Sequence, residues 1–174
     1  RDSGKGVPAA LFMMRVKALL NQLLREDLSP DQVLARANDG LCEDNEAGMF
    51  VTVWLGVLDL RSGKLVYANG GHNPPLYRHA DGSVEWMRDR SGLLLGSFEG
   101  VPYRVFERTM IRGDSLILYT DGVTEAMDAS DHCYGDERLF QLVERECDGY
   151  PASVSGVIEE DVRAFAEGLS LIHI

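Results

Sequence analysis

Cysteine is scarce in this chain and scattered where it occurs. Only Cys42, Cys133 and Cys147 are present, and none forms a C-x-x-C pair. That spacing excludes a zinc knuckle, and the odd, wide set fits reduced thiols in a cytoplasmic compartment. Basic charge is also short, with 17 Lys and Arg against 28 Asp and Glu, for a net charge of −11. A nucleic-acid partner is therefore excluded, because phosphate backbones are gripped by clustered Lys and Arg. No apolar run approaches the roughly 20 residues that span a bilayer, so no membrane segment is expected. Nothing at the start reads as a signal peptide. There is no internal repeat and no low-complexity stretch. What remains is an ordinary globular composition, 45% apolar and 26% charged over 174 residues. That length suits one domain with one sizeable core.

The chain opens on a Gly-rich turn, Ser3-Gly4-Lys5-Gly6, followed by Pro8, which a first helical turn tolerates. Ala9, Phe12, Val16, Leu19 and Leu23 then recur at helical spacing and predict a helix over 8–26. Ser29-Pro30 is a start signal for a second helix with Val33, Leu34, Ala37 and Leu41 on its apolar face. The period changes at Phe50, where an apolar run to Leu60 predicts a strand buried on both faces. Arg61-Ser62-Gly63 turns it into a return strand over 64–69. Further hairpins are expected around Asp81-Gly82 and around Arg112-Gly113-Asp114, the latter pairing 105–111 with 115–120. Helices are expected over 135–147 and 152–167. Helices, then hairpins, then helices indicate an α+β fold.

Few residues carry chemistry by pattern alone. Asp121 ends an apolar strand beside Gly122, a position that suits either a turn or, less commonly, a hard-cation site. The Ser3–Gly6 turn lacks the length and the Ser or Thr of a P-loop. It is either a helix start only or a backbone site for an anion. His72, between Gly71 and Asn73-Pro74-Pro75, has no nucleophile signature near it and reads as a histidine bonded to its own loop. Asp114 and Glu125 read as surface charges, and Trp54 and Trp86 as core or half-buried packing.

Taken in order, these segments resemble the SpoIIE/RsbU-type members of the metal-dependent (PPM) serine/threonine protein phosphatases. Ser3-Gly4-Lys5-Gly6-Val7-Pro8-Ala9-Ala10-Leu11-Phe12-Met13 is similar to the stretch after that family's second metal-binding aspartate. Phe50 to Asp59 and Asn69 to Pro75 are similar to its central hairpin. Leu118-Tyr119-Thr120-Asp121-Gly122-Val123-Thr124-Glu125-Ala126 resembles its third aspartate motif, and Tyr134 to Leu139 the helix start beyond. The resemblance implies an α+β, four-layer αββα sandwich of antiparallel sheets, incomplete here. It also implies two Mn²⁺ or Mg²⁺ ions, about 3.5–4 Å apart, that activate water for attack on phosphoserine or phosphothreonine. Carried over by position, Asp121 is the catalytic metal ligand; Asp2, one place from the family's aspartate, is expected to serve the metal site as a shifted carboxylate or through its carbonyl. Ser3, Gly4, Lys5, Gly6, Gly122, His72 and Asn73 are supporting motif residues. The implied partners are a phosphorylated anti-sigma-factor antagonist as substrate and an upstream sensor domain.

The chain departs from the family pattern at its ends. The family's aspartate lies two places before Ser3, where this sequence has Arg1, with Asp2 one place closer. An Arg there would add positive charge where carboxylates should neutralise two dications. The sequence therefore predicts a phosphatase domain over 1–168 lacking its first strands and last strand, with 169–174 a non-native tail. It also predicts weak metal binding and little activity for this stretch alone. A non-catalytic, phosphatase-like binding module is the alternative expectation.

Overall fold

The computed structural model describes residues 6–146 and 151–168. The fold comprises two compact units, each assembled from separated stretches of chain. One contains Arg1–His72 and Asp89–Met110, the other Asn73–Arg88 and Ile111–Ile174. Two apolar clusters, one per unit, stand where the chain length alone predicts one core.

In the first unit, α1 (Gly6–Leu23) and α2 (Pro30–Cys42) precede β1 (Val53–Leu58), β2 (Lys64–Gly70) and, after a long excursion, β5 (Phe106–Thr109). α2 starts where its signals place it. The Gln32 side chain accepts from the Ser29 N–H at 3.1 Å, half of a capping box, and Pro30 fills the first helical position. Val33, Leu34, Ala37 and Leu41 are buried against Phe12, Val16 and Leu23 of α1, as their spacing predicts. The three strands form an antiparallel sheet in the order β1-β2-β5. This corrects the reading of 50–60 as a strand buried on both faces. Val53–Gly56 of β1 are only half-buried, Val57 is 54% exposed, and Phe50 and Leu60 flank the strand in solvent; among the described strands β1 has a neighbour on one side only. The doubly neighboured strand is β2, whose Leu65, Tyr67, Ala68 and Asn69 are buried. Hydrophobicity gave the strand but not its burial, because that depends on what packs over each face.

In the second unit, β3 (Leu76–Arg78) is flanked by β4 (Val84–Trp86) and β6 (Ser115–Ile117), all antiparallel. The one-turn α3 (Asp121–Thr124), α4 (Asp136–Glu146) and α5 (Pro151–Ala166) complete it. Leu139 and Val143 of α4 and Val154 of α5 are buried with Leu76, Ile117, Tyr119 and Tyr134. The helices are joined by charge as well. Arg138 holds Asp161 through Nε and Nη2 at 2.8 and 2.9 Å, and Tyr134 donates to the same carboxylate at 2.6 Å.

The predicted hairpin of 105–111 with 115–120 does not form. β5 pairs with β2 in one unit and β6 with β3 in the other. The Arg112-Gly113-Asp114 turn is real, but it is closed from within. The Asp114 carboxylate accepts from the N–H groups of Ile111 and Ala80, each at 2.9 Å, and from the buried Tyr77 hydroxyl. Asp114 is thus a hub of the second unit rather than a plain surface charge. Partial burial works against its ionised form, but those three donors outweigh it and hold its pKa below the usual carboxylate value. A carboxyl lowered in the fold stabilises above its unfolded pKa and loses that contribution as pH falls through the folded value. We expect Asp114→Ala to destabilise the protein by about 2 kcal/mol near pH 7, the scale of hydrogen bonds to one charged group. Urea melts between pH 7 and 3 should show the gap to wild type closing only at the acid end.

Candidate active site

Asp121 owes its position to the residues before it. β6 ends at Ile117, and the next residues leave the sheet. Tyr119 is buried against the Trp86 ring, 6.0 Å between centroids, and donates to Asp136 at 3.2 Å. Thr120 is extended, at φ −107° and ψ 165°, and Asp121 begins α3. The turn is closed by Glu125 N–H to Asp121 O at 2.7 Å. It is braced by Tyr134 N–H to Ala126 O and Gly135 N–H to Thr124 O at 2.8 and 2.9 Å. The backbone is therefore fixed while the Asp121 carboxylate stays in solvent.

Asn73 meets it. Asn73 Nδ2 donates to Asp121 Oδ1 at 2.6 Å, across 48 residues of sequence. An ionised carboxylate only accepts, so the amide must present its nitrogen. Asn73 has little backbone freedom, because a residue before proline is confined to extended conformations and Pro74 and Pro75 have fixed φ. Pro75 is buried, and its carbonyl accepts from Met87 N–H at 2.9 Å. Leu76 follows directly as the first residue of β3.

The other expected site residues fall differently. His72 is tied to its own loop through its backbone, while its imidazole faces Thr52 outside that loop. Its N–H donates to Asn69 Oδ1 at 2.8 Å, its carbonyl accepts from Asn69 Nδ2 at 3.0 Å, and its Nδ1 lies 3.4 Å from Thr52 Oγ1. Gly122 is adjacent to Asp121, and a Cβ there would meet only Thr120 Oγ1, at 3.7 Å. We therefore expect Gly122→Ala to leave the melting temperature unchanged or slightly raised, since alanine is favoured over glycine in a helix by up to about 1 kcal/mol. Gly6 is the first residue of α1, two places before the predicted start. Asp2, Ser3, Gly4 and Lys5 lie outside the described residues, as does the expected tail at 169–174. The pairing of Asn73 with Asp121 was not foreseen; the signal available was an amide placed immediately before two prolines.

For a divalent cation, Asp121 is chemically apt. It is an exposed carboxylate with one oxygen anchored and the other open, and hard ions take oxygen donors. It fits as one ligand. Among the described residues, no group of three Asp, Glu, His or Cys gathers around it or elsewhere. A cavity of about 1180 Å³ between β6 and α5, lined by Leu116, Ile117, Val154, Ile158 and Val162, does not include Asp121 and is mainly apolar.

The two antiparallel sheets and their helices define a class, since solved PP2C-type phosphatase domains share this fold. The phosphatase domain of SpoIIE from Bacillus subtilis, solved with a fragment of its regulatory domain, superposes with a TM-score of 0.75 at 17% identity, over 94% of this chain and 47% of that one. The family itself is shown by sequence: Stage II sporulation protein E (SpoIIE) matches residues 3–169, and the chain belongs to that family. It is 32% identical to the phosphoserine phosphatase RsbU of Bacillus subtilis over 122 residues, 70% of this chain and 36% of RsbU. It is 28% identical to the phosphoserine phosphatase RsbP of the same organism over 144 residues, 80% of this chain and 34% of RsbP. The chain thus spans about a third of the length of these relatives. Two further solved domains share the fold. One is the SpoIIE phosphatase domain presoaked with Mn, at TM-score 0.59 and 18% identity over 88% of this chain and 67% of that one. The other is RsbX in complex with magnesium, at 0.58 and 15% over 91% and 67%. The α+β, PPM-type fold expected from sequence is the fold found.

Proposed function

We propose that this chain is the phosphatase domain of a protein that hydrolyses phosphoserine or phosphothreonine esters on a protein substrate, using two Mn²⁺ or Mg²⁺ ions. The reading is carried by the exposed Asp121 carboxylate, fixed by α3 and Asn73, within a chain that belongs to the SpoIIE family over nearly its whole length. The named activity of RsbU and RsbP supports the reaction type. The family resemblance supports a phosphorylated anti-sigma-factor antagonist as substrate, an upstream sensor domain and action in the cytoplasm. No described helix is long and apolar enough to cross a membrane.

When bound, such ions supply a nucleophilic hydroxide at neutral pH and offset charge on the phosphoryl oxygens. The part of this chain is to place a carboxylate ligand. Asp121 contributes negative charge at a fixed backbone position, and Asn73 holds one of its oxygens. Asp2 is proposed as a second ligand, by its carboxylate or its carbonyl, and Ser3–Gly6 as the turn beside it.

The test is phosphate release from a phosphoserine-bearing substrate protein and from p-nitrophenyl phosphate by the full-length protein, with and without Mn²⁺. Mn²⁺-dependent release from both is expected. Tight binding of the phosphoprotein with no release would instead identify a phosphatase-like binding module. Residues 1–174 alone should turn over p-nitrophenyl phosphate far more slowly than the full-length protein. Equal rates would overturn the expectation that this stretch holds the metal pair weakly.

A further inference from the structure

We infer that Asn73 is a positioning residue for the metal site, selecting which Asp121 oxygen faces the cation and pre-orienting that carboxylate before the ion arrives. The inference rests on the reading of Asp121 as a ligand and gives Asn73, so far only a supporting motif residue, a specific task. An exposed aspartate on a one-turn helix is free to rotate about two side-chain torsions, and binding an ion would then cost the entropy of fixing them. Here the cost is met in advance. Asn73 Nδ2 grips Oδ1 at 2.6 Å, within the range of a charge-assisted hydrogen bond. The amide stands on restricted backbone, a residue directly before two prolines. That stub is tied at Pro75 to Met87, which is 1% exposed, and runs straight into β3, whose neighbour β6 leads to Asp121. Asn73 lies three residues before β3 and Asp121 four after β6, at the same end of this antiparallel strand pair, so the pairing brings their segments close. With Oδ1 engaged, Oδ2 is the oxygen left to a cation. A neutral amide is a suitable donor here because it orients the carboxylate without cancelling the charge the ion needs, as a Lys or Arg in the same place would.

The experiment compares wild type, Asn73→Ala, the shape-conserving Asn73→Leu, and Asp121→Asn in the full-length protein. Mn²⁺ affinity is measured by calorimetry, p-nitrophenyl phosphate turnover is followed against Mn²⁺ concentration, and metal-free melting temperatures are recorded. Both Asn73 variants should bind Mn²⁺ roughly 10- to 100-fold more weakly, the usual consequence of removing a residue that orients a metal ligand. Their kcat at saturating Mn²⁺ should recover to within about threefold of wild type, because the ligand itself remains. Their metal-free melting temperatures should match wild type, which a merely structural role would not allow. Unchanged Mn²⁺ affinity in both variants, alongside lost affinity in Asp121→Asn, would overturn the role of Asn73 and leave the phosphatase reading standing. Weakened affinity accompanied by a lowered metal-free melting temperature would also overturn it. Wild-type Mn²⁺ affinity in Asp121→Asn would remove the ligand on which both readings depend.

Discussion

Asp121→Asn should lower Mn²⁺-dependent phosphate release by the full-length protein by at least about 100-fold, with no loss of thermal stability. The two halves of that expectation have separate physical grounds. Asparagine keeps the shape of the side chain, but its carbonyl oxygen is a neutral and weaker ligand for a hard dication. Loss of a first ligand should exceed the 10- to 100-fold typical of outer partners. Folding has little at stake, because the carboxylate is exposed and its side-chain hydrogen-bond partner is Asn73. What fixes the turn is the Asp121 carbonyl, which accepts from Glu125 N–H and is untouched by the substitution. The measurement is phosphate release across a Mn²⁺ titration beside a melting curve. Full activity at wild-type Mn²⁺ concentrations would place the metal elsewhere.

Gly63→Ala should be among the most damaging single-atom additions available in the first unit, costing about 3 kcal/mol or more. Gly63 lies at φ +73°, a left-handed conformation that burdens alanine with about 1 kcal/mol or more. A Cβ there would also lie 2.2 Å from the Met110 carbonyl oxygen, a backbone atom with no side-chain freedom to yield, and overpacking adds about 1–3 kcal/mol. The backbone cannot retreat freely either. Gly63 N–H donates to Asp59 O, and Met110 N–H donates to Gly63 O, both at 2.8 Å. Gly48 and Gly100 provide the control. They share a positive φ, at +61° and +69°, but a Cβ at either meets nothing within 4 Å. Alanine there should cost only the conformational part, about 1 kcal/mol. Chemical denaturation of the three variants should separate the two contributions. Equal losses at all three positions would show that contact with Met110 is not the cause.

Local signals in the sequence translated well where short-range physics dominates. Ser29-Pro30 started α2, the Asp59–Lys64 turn formed around Gly63, and the helices at 136–146 and 151–166 fell within a residue of the ranges expected for them. The misreadings share one cause. The exposure of β1 depends on what packs over its faces and the parting of β5 from β6 on which strand lies alongside, and the pattern along a chain records neither. The Arg112–Asp114 turn looked like a hairpin because its residues are turn residues. What they do is bring Asp114 to Tyr77 and Ala80 of a strand and loop some 35 residues earlier.

The candidate site divides along the same line. Asp121 was legible because a carboxylate beside glycine after an apolar strand, in a run resembling a known motif, is a local pattern. The sequence by itself determined the α+β class, the family, and which acid to suspect, since composition, periodicity and motif order are all written along the chain. Only the tertiary structure decided that Asn73, 48 positions away, holds that acid, because β3 and β6 become neighbours through hydrogen bonds between strands, and no residue encodes its partner alone.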